Sequence, residues 1–360
     1  MSQSPGGASL PPPDIQARAD RKAERLREIL TSGIPRVFIS RAQWLEARLS
    51  GIGGSEAAAV VGASRFKAPF TLWAEKSRLV EPEDLGENEV VEWGNRAEPT
   101  VAQKFQEVAE CQFFLLEPHE ILMVGSEWVP YRFASPDRMI LEPTPVITEW
   151  AMARAQGEGS SQLAPFNMAD LQGPGVLEIK TAFRGREGTW EEEPPLDPMI
   201  QLQNNMEITG ATWGVFAVLF GGSHFQTFGP FSLDIMFRDW LRKHVEAFWG
   251  RVEDHNPPEV QAEDERILAR LYPDEEPEKV VQIPEAWDLH QRLQAAQREI
   301  EGRVSEIKAL KNRLRQKIGS AEIGVISPEV SYTLKTTKKG GFYTGPSQFR
   351  TLRVQERREG

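Results

Sequence analysis

Two strand-like stretches near the middle of the chain carry charged side chains suited to phosphodiester chemistry. Asp137 lies in "YRFASPDRMIL", and Glu178 and Lys180 lie in "GVLEIKTA". Two carboxylates can hold hard divalent cations such as Mg²⁺ through oxygen, and a lysine can orient or help deprotonate an attacking water. A lysine also offsets the negative charge that develops on a phosphate. The combination indicates metal-dependent phosphodiester hydrolysis.

The short run around Glu178 predicts a β-strand, because it is bounded by Pro and Gly and rich in apolar residues. Side chains alternate along a strand, so Glu178 and Lys180 are expected on one face and Leu177 and Ile179 on the other. The Glu-x-Lys spacing alone carries little information, since the segment 306–308 repeats it as Glu-Ile-Lys. The spacing indicates a metal-dependent site only in combination with Asp137 on the preceding strand-like stretch.

A third carboxylate, Glu98, lies in "VVEWGNRAEPTVAQKFQEV". If this stretch is helical, Glu98 falls on the face formed by Gly94, Ala97, Val101, Ala102, Phe105 and Val108. A charge on an apolar face is costly unless it is paired or bound to a cation, so Glu98 is a candidate metal or water ligand. The alternative is a glutamate in the first turn of a helix that begins near Pro99.

Three amides interrupt a later helical stretch, "PMIQLQNNMEITG": Gln201, Asn204 and Asn205. Buried amides require partners, which an active-site phosphate, water or metal-bound ligand could supply. Exposure to solvent is the alternative, and the sequence alone favours it.

The N-terminal stretch "ARLSGIGGSEAAAVVG" resembles a phosphate-binding loop. It lacks the Gly-Lys-Ser/Thr ending of a nucleotide-binding loop and the third glycine of a dinucleotide fingerprint. A glycine turn that opens a helix still offers backbone N–H groups and a serine hydroxyl to an anion, and Arg48 could reach the same place.

Composition narrows the class of protein. The chain has 360 residues, of which 40% are hydrophobic and 26% charged, as in a soluble globular protein. Its one cysteine excludes an intramolecular disulfide framework, a cysteine zinc site and an iron–sulfur cluster. No apolar run approaches the roughly 20 residues that span a bilayer, and the first residues do not resemble a signal peptide, so a cytoplasmic protein is expected.

The net charge of −11 argues against nucleic acid as a partner, but its distribution weakens that argument. Residues 253–278 carry ten acids against two bases, whereas residues 320–360 carry seven bases against four acids. The acidic charge is concentrated in particular segments, so a locally positive groove is compatible with the sequence.

Together these stretches resemble the YqaJ-type viral recombinase family, which is similar to phage lambda exonuclease, within the PD-(D/E)xK nuclease superfamily. The resemblance covers about residues 37–255 and follows the family's order. It rests on Arg48 with "GIGGSEAAAVVGASRFKAPFTLWAEK", then "EWGNRAEP", "ASPDRMI", "LEIKTA" and "IQLQNNMEITGATWGVFAVLFGG".

The resemblance implies an α/β fold with a restriction-endonuclease-like core, in which helices flank a central mixed β-sheet and C-terminal helical and small β additions follow. Composition and hydrophobic patterning, together with the resemblance, divide the chain into five segments: a disordered tail and short helix (1–36), the exonuclease domain (37–252) with an insertion (142–175), an acidic proline-rich linker (253–284), an amphipathic helix or coiled coil (285–319), and a small basic β segment (320–360).

The activity implied is a 5′ to 3′ exonuclease that degrades one strand of linear duplex DNA and leaves a 3′ single strand. The resemblance assigns two Mg²⁺ ions, with Mn²⁺ able to substitute, to Asp137, Glu178 and the Ile179 carbonyl, with Glu98 completing the ligand set. The remaining roles are a catalytic lysine (Lys180), amides that position water or phosphate (Gln201 and Gln203), and a 5′-phosphate site (Arg48 and Ser55).

The implied partners are double-stranded DNA ends, a single-strand annealing protein and further copies of the chain in a ring trimer, in a bacterial host where the gene is phage or prophage encoded. Two alternatives remain open from the sequence. One is an endonuclease of the same fold, and the other is a catalytically silent DNA-binding or scaffold protein.

Overall fold

The computed structural model describes residues 13–83, 88–156, 166–183, 190, 194–327 and 329–335. The chain divides into two compact units, Met1–Leu271 and Tyr272–Gly360. All candidate site residues belong to the first unit.

The first unit combines helices and strands throughout its length. Its described helices are α1 (Pro13–Ile29), α2 (Arg41–Leu49), α3 (Gly54–Val60), α4 (Pro69–Lys76), α5 (Glu89–Ala109), α6 (Pro145–Ala155), α7 (Leu196–Thr209), α8 (Ile235–Glu253) and α9 (Glu265–Leu271). Its described strands are β1 (Ile34–Phe38), β2 (Ile121–Gly125), β3 (Phe133–Ala134), β4 (Arg138–Ile140), β5 (Gly175–Ala182), β6 (Trp213–Phe220) and β7 (His224–Ser232).

The central sheet has the order β4-β5-β6-β7. β5 pairs with β4 antiparallel and with β6 parallel, and β7 returns antiparallel to β6. A parallel pair requires a crossover, which α7 supplies between β5 and β6. The predicted α/β class, with a central mixed sheet flanked by helices, is confirmed. β1, β2 and β3 form a separate antiparallel sheet.

Side-chain alternation on β5 divides the core. Leu177 and Ile179 pack with α5 and α6 on one face, as expected, while Val176 packs with α7 on the other. The segment 142–175, predicted as an insertion, therefore contributes α6 to this core through Ile147 and Ala151, which are buried.

A third apolar cluster lies among α3, α4, α8 and α9. Ile267 of α9 is buried in it, so this part of the predicted 253–284 linker is helical and belongs to the first unit. α1 likewise packs into the core, through Ala19 and Leu26, because its apolar positions recur on one helical face.

The second unit contains α10 (Trp287–Ile318), β8 (Ile323–Val325) and β9 (Ser331–Thr333). The long helix predicted at 285–319 is present, and none of its side chains is buried. β9 falls within the predicted run "VSYTLKTTKK", whereas the second run, "FRTLRV", lies outside the described residues. In the described parts of the chain, every helix is too short or too polar to cross a membrane.

Candidate active site

Asp137, Glu178 and Lys180 lie together where β4 meets β5. Asp137 directly precedes β4, whose antiparallel pairing brings it beside β5. The backbone N–H of Ile179 donates to Asp137 Oδ2 at 2.6 Å. Lys180 Nζ lies 3.2 Å from Glu178 Oε2. The strand pattern thus gathers these two carboxylates and the lysine, as predicted.

α7 supplies two amides to the same cluster. Gln201 Nε2 donates to Glu178 Oε2 at 2.7 Å, and Lys180 Nζ donates to Gln201 Oε1 at 2.9 Å. Asn205 Nδ2 donates to the other oxygen, Glu178 Oε1, at 2.5 Å. Gln201 and Asn205 are four residues apart and therefore share one face of the helix. The carboxylate of Glu178, which is fully buried, is held by three side chains.

Gln203 does not reach this cluster. Its amide donates to the Ser232 carbonyl at 2.9 Å and accepts from the Asp234 N–H at 2.9 Å, beyond the far end of β7. A residue two positions from Gln201 on a helix projects in a different direction. The expected role of Gln203 beside the scissile phosphate is therefore wrong for this structure, and Gln203 joins β7 to α8 instead.

The expectation that the amides of α7 are exposed was also wrong for Asn204 and Asn205, which are both fully buried. Asn204 donates to the Phe133 carbonyl at 3.1 Å and accepts from Arg132 Nη2 at 2.9 Å. Asn205 was not among the predicted site residues. Its spacing of four from Gln201 is the signal that could have identified it.

Glu98 lies on α5 and forms an ion pair with Arg138, with Arg138 Nη1 at 2.7 Å from Glu98 Oε1. The helix begins at Glu89 rather than near Pro99, so Glu98 lies in its interior and not in a first turn. Arg138, the residue after Asp137, was not anticipated as a partner. Glu98 thus lies near the carboxylate cluster, and the charge of Asp137 acts on it.

Burial raises the pKa of each carboxyl group in this cluster. Burial, reinforced by the Asp137 charge, raises the pKa of Glu178 to about 8 despite the opposing effect of Lys180. Burial also raises the pKa of Asp137 and of Glu98, and the Asp137 charge raises the pKa of Glu98 further. Burial alone would lower the pKa of Lys180, but the charges of Glu178 and Asp137 outweigh it and raise that pKa.

These residues fit a divalent cation. Two buried carboxylates share one lysine, so the cluster favours additional positive charge. Oxygen ligands suit Mg²⁺, which proteins commonly hold through one or two carboxylates together with substrate phosphates and water. Among the described residues, no three His, Cys, Asp or Glu side chains lie close enough together to hold a metal ion by themselves. The Ile179 carbonyl as a ligand stays a prediction.

Arg48 and Ser55 come together at the glycine turn, residues 51–54, which leads into α3. Arg48 Nη2 donates to Ser55 Oγ at 3.1 Å and lies 3.2 Å from Glu56 Oε1. The Arg48 guanidinium also stacks over Trp44, 4.8 Å from the ring centroid. The turn therefore presents a hydroxyl and a guanidinium side by side, which suits an anion.

A buried ion pair between Lys76 and Glu56 contacts the backbone before and within this turn. Lys76 Nζ donates to both oxygens of Glu56, at 2.8 and 2.9 Å, and to the Arg48 carbonyl at 2.8 Å. Glu56 Oε2 also accepts from the Gly53 N–H at 3.1 Å. The sequence did not single out Glu56 or Lys76, since neither has a distinctive motif.

The mixed sheet and the two paired strands that carry Asp137, Glu178 and Lys180 are an arrangement suited to metal-dependent phosphodiester hydrolysis. Comparison with known proteins identifies a matching family. Residues 43–212 match the YqaJ-like viral recombinase domain, and this range includes every candidate site residue.

Among individual proteins, the chain is similar to protein YqaJ of Bacillus subtilis strain 168. The two are 26% identical over 321 residues, which cover 83% of this chain and 87% of YqaJ. The chain also matches the crystal structure of an alkaline exonuclease, LHK-Exo, from Laribacter hongkongensis. This match has a TM-score of 0.42 and 17% identity, and it covers 64% of this chain and all of LHK-Exo.

Proposed function

We propose that the protein is a metal-dependent nuclease that degrades one strand of linear duplex DNA from 5′ to 3′ and leaves 3′ single-stranded overhangs for recombination. The observation that carries the proposal is the convergence of Asp137, Glu178 and Lys180 at the β4–β5 junction. The family match over residues 43–212 supports it.

Asp137 and Glu178 would hold the cation, with Glu98 and the Ile179 carbonyl as further ligands. When bound, Mg²⁺ supplies Lewis-acid polarisation of the phosphate and an activated water, with Mn²⁺ able to substitute and two ions expected. Because burial raises the pKa of all three carboxyl groups and the Asp137 charge raises those of Glu98 and Glu178 further, the cluster favours added positive charge.

Lys180 is positioned to act on the substrate directly. Its raised pKa keeps the ammonium protonated near neutral pH, so its N–H groups donate and its charge offsets the negative charge of a phosphate. Gln201 bridges Lys180 and Glu178 and so fixes the direction of the lysine side chain. A water held by Lys180 would thus lie beside the carboxylates.

The turn with Arg48 and Ser55 is proposed to bind a terminal 5′ phosphate. A guanidinium and a hydroxyl 3.1 Å apart can bind two oxygens of one phosphate. This assignment gives the polarity of degradation, because the enzyme would recognise the 5′ end of the strand that it cuts. An annealing partner and a ring trimer stay predictions.

The test supplies purified full-length protein with linear and covalently closed circular duplex DNA, with Mg²⁺ or EDTA. The linear DNA carries either a 5′ phosphate or a 5′ hydroxyl, and separate samples are labelled at the 5′ or the 3′ end. We expect metal-dependent loss of linear DNA alone, faster with a 5′ phosphate, with early release of the 5′ label.

Cleavage of closed circles would replace the exonuclease with an endonuclease of the same fold. Binding without cleavage under every metal condition would instead identify a DNA-binding or scaffold protein. Early release of the 3′ label would reverse the polarity and remove the proposed role of Arg48 and Ser55.

A further inference from the structure

We infer that Asn205 is a positioning residue that fixes Glu178 and joins it to the glycine turn before α3. The inference rests on the proposed function, because it concerns the same cation site. It adds a residue to that site and a structural connection between the carboxylates and the proposed phosphate site.

The first contact is with Glu178. Asn205 is fully buried on α7, and its Nδ2 donates to Glu178 Oε1 at 2.5 Å. Lys180 and Gln201 both bind the opposite oxygen, Oε2. Among the described contacts, Asn205 is therefore the partner of Oε1, and its loss would leave this oxygen of a buried carboxylate without a donor and the group free to rotate.

The second contact is with the glycine turn. A Cβ atom placed on Gly54 would lie 2.4 Å from Asn205 Oδ1 and 3.2 Å from Gln201 Cγ. Glycine is thus required for the start of α3 to approach α7 this closely. Gly54 thus packs against Oδ1 of the amide, which also accepts from Asn204 Nδ2 at 3.5 Å, while Nδ2 donates to Glu178.

The two contacts place the proposed sites in one rigid arrangement. Ser55, which meets Arg48, follows Gly54 directly in the chain, and Glu178 is one side chain away through Asn205. The distance from the phosphate-binding turn to the cation site is then set by packing rather than by a flexible loop. Displacement of Gly54 is expected to reach Glu178 through this amide.

The experiment measures Mn²⁺ affinity of the full chain without DNA, from the free Mn²⁺ signal in electron paramagnetic resonance. We expect Asn205→Ala to weaken Mn²⁺ binding by about 10- to 100-fold, as for other groups that orient metal ligands. Gly54→Ala should weaken it in the same direction by a smaller factor. The matched control is Gln203→Ala, which changes a buried amide on the same helix that binds the Ser232 carbonyl and the Asp234 N–H instead of Glu178.

Thermal unfolding identifies variants that fail to fold, and Asn205→Ser replaces Asn205→Ala if the latter does. Equal Mn²⁺ affinity in the wild-type protein and the Asn205 variant would overturn the inference while leaving the proposed function intact. Equal affinity in Gly54→Ala would overturn the connection to the turn. A wild-type protein that binds no Mn²⁺ would contradict the cation site and with it the proposed function.

Discussion

Two buried glutamates, each beside a lysine, have pKa values shifted in opposite directions. Glu178 in the β-sheet lies 3.2 Å from Lys180, and Glu56 in α3 lies 2.8 Å from Lys76. The pKa of Glu178 is raised to about 8, whereas the pKa of Glu56 is lowered to about 2. Burial beside a lysine therefore does not determine the charge state of a carboxyl group.

The difference comes from the number of charges that share each site. Burial raises the pKa of Glu56, but Lys76, Arg48 and Lys67 together outweigh it. Glu178 has Lys180 alone as a close cation and Asp137 as a competing anion. The first pair is already neutralised and stabilises the fold, while the second favours further positive charge, which is consistent with the proposed cation site.

The largest effect is expected when the sheet lysine is removed. Lys180→Ala should lower the rate of DNA cleavage by about 10²- to 10⁴-fold, because proton transfer and positioning by one side chain contribute on this scale. DNA binding should be largely retained. Initial rates on linear DNA and a gel-shift assay with EDTA measure the two quantities.

The matched control is Lys308→Ala, which changes the lysine of the other Glu-x-Lys, on the exposed helix α10. That variant should cut DNA at the wild-type rate. Full activity in Lys180→Ala would show that the catalytic site lies elsewhere and would leave the comparison of the two glutamates without functional meaning.

A smaller effect is expected on stability when the glycine-turn glutamate is neutralised. Glu56→Gln should lower the free energy of unfolding at pH 7 by about 3 kcal/mol, which corresponds to a pKa of about 2 rather than 4.5. Because the folded-state pKa is depressed, this contribution is fully present above pH 4.5 and is lost as the pH falls through about 2. Urea unfolding between pH 3 and 7 should show the difference between variant and wild type shrinking with acid.

Glu178→Gln provides the opposite comparison. Because the pKa of Glu178 is raised in the folded state, ionisation of this side chain opposes folding at pH values above the ordinary glutamate pKa. A neutral amide at this position should therefore leave the free energy of unfolding unchanged or raise it in the absence of metal. Equal destabilisation by the two substitutions would remove the distinction between the sites.

The smallest effect is a cation-dependent shift in thermal stability. A ligand at 100 times its Kd adds about 2.7 kcal/mol to the stability of the folded state. Mg²⁺ should therefore raise the Tm of the wild-type protein and of Glu56→Gln, but not that of Glu178→Gln. Differential scanning fluorimetry with Mg²⁺ against EDTA measures the shift, and an equal shift in all three proteins would place cation binding outside the sheet.

The strand carrying Glu178 was predictable because period-two alternation is a local property of the sequence. Leu177 and Ile179 point into one core and Glu178 and Lys180 toward α7, as the pattern required. The segment around Ile267 was not predictable from its acidic and proline-rich composition. Its few apolar residues become buried only by packing against α3, α4 and α8, which are distant in the chain.

The candidate site likewise contains residues that the sequence predicted and residues that only tertiary packing reveals. Asp137, Glu178, Lys180 and Gln201 are brought together, and Arg48 meets Ser55, as the ordered motifs indicated. Gln203 lies away from this group because a residue two positions from Gln201 on α7 projects in a different direction. Asn205 could have been identified from its spacing of four from Gln201, whereas Arg138 and Lys76 could not, since each acts through a partner supplied by tertiary packing.

The parallel pairing of β5 with β6 has a consequence for synthesis of the chain. Glu178 is held by side chains of α7, and its strand becomes interior only when β6, ending at Phe220, is in place. A nascent chain that stops short of this strand has the acidic residues and the lysine but lacks the packing that orients them. The candidate site is therefore assembled late in translation, after more than half of the polypeptide has been synthesised.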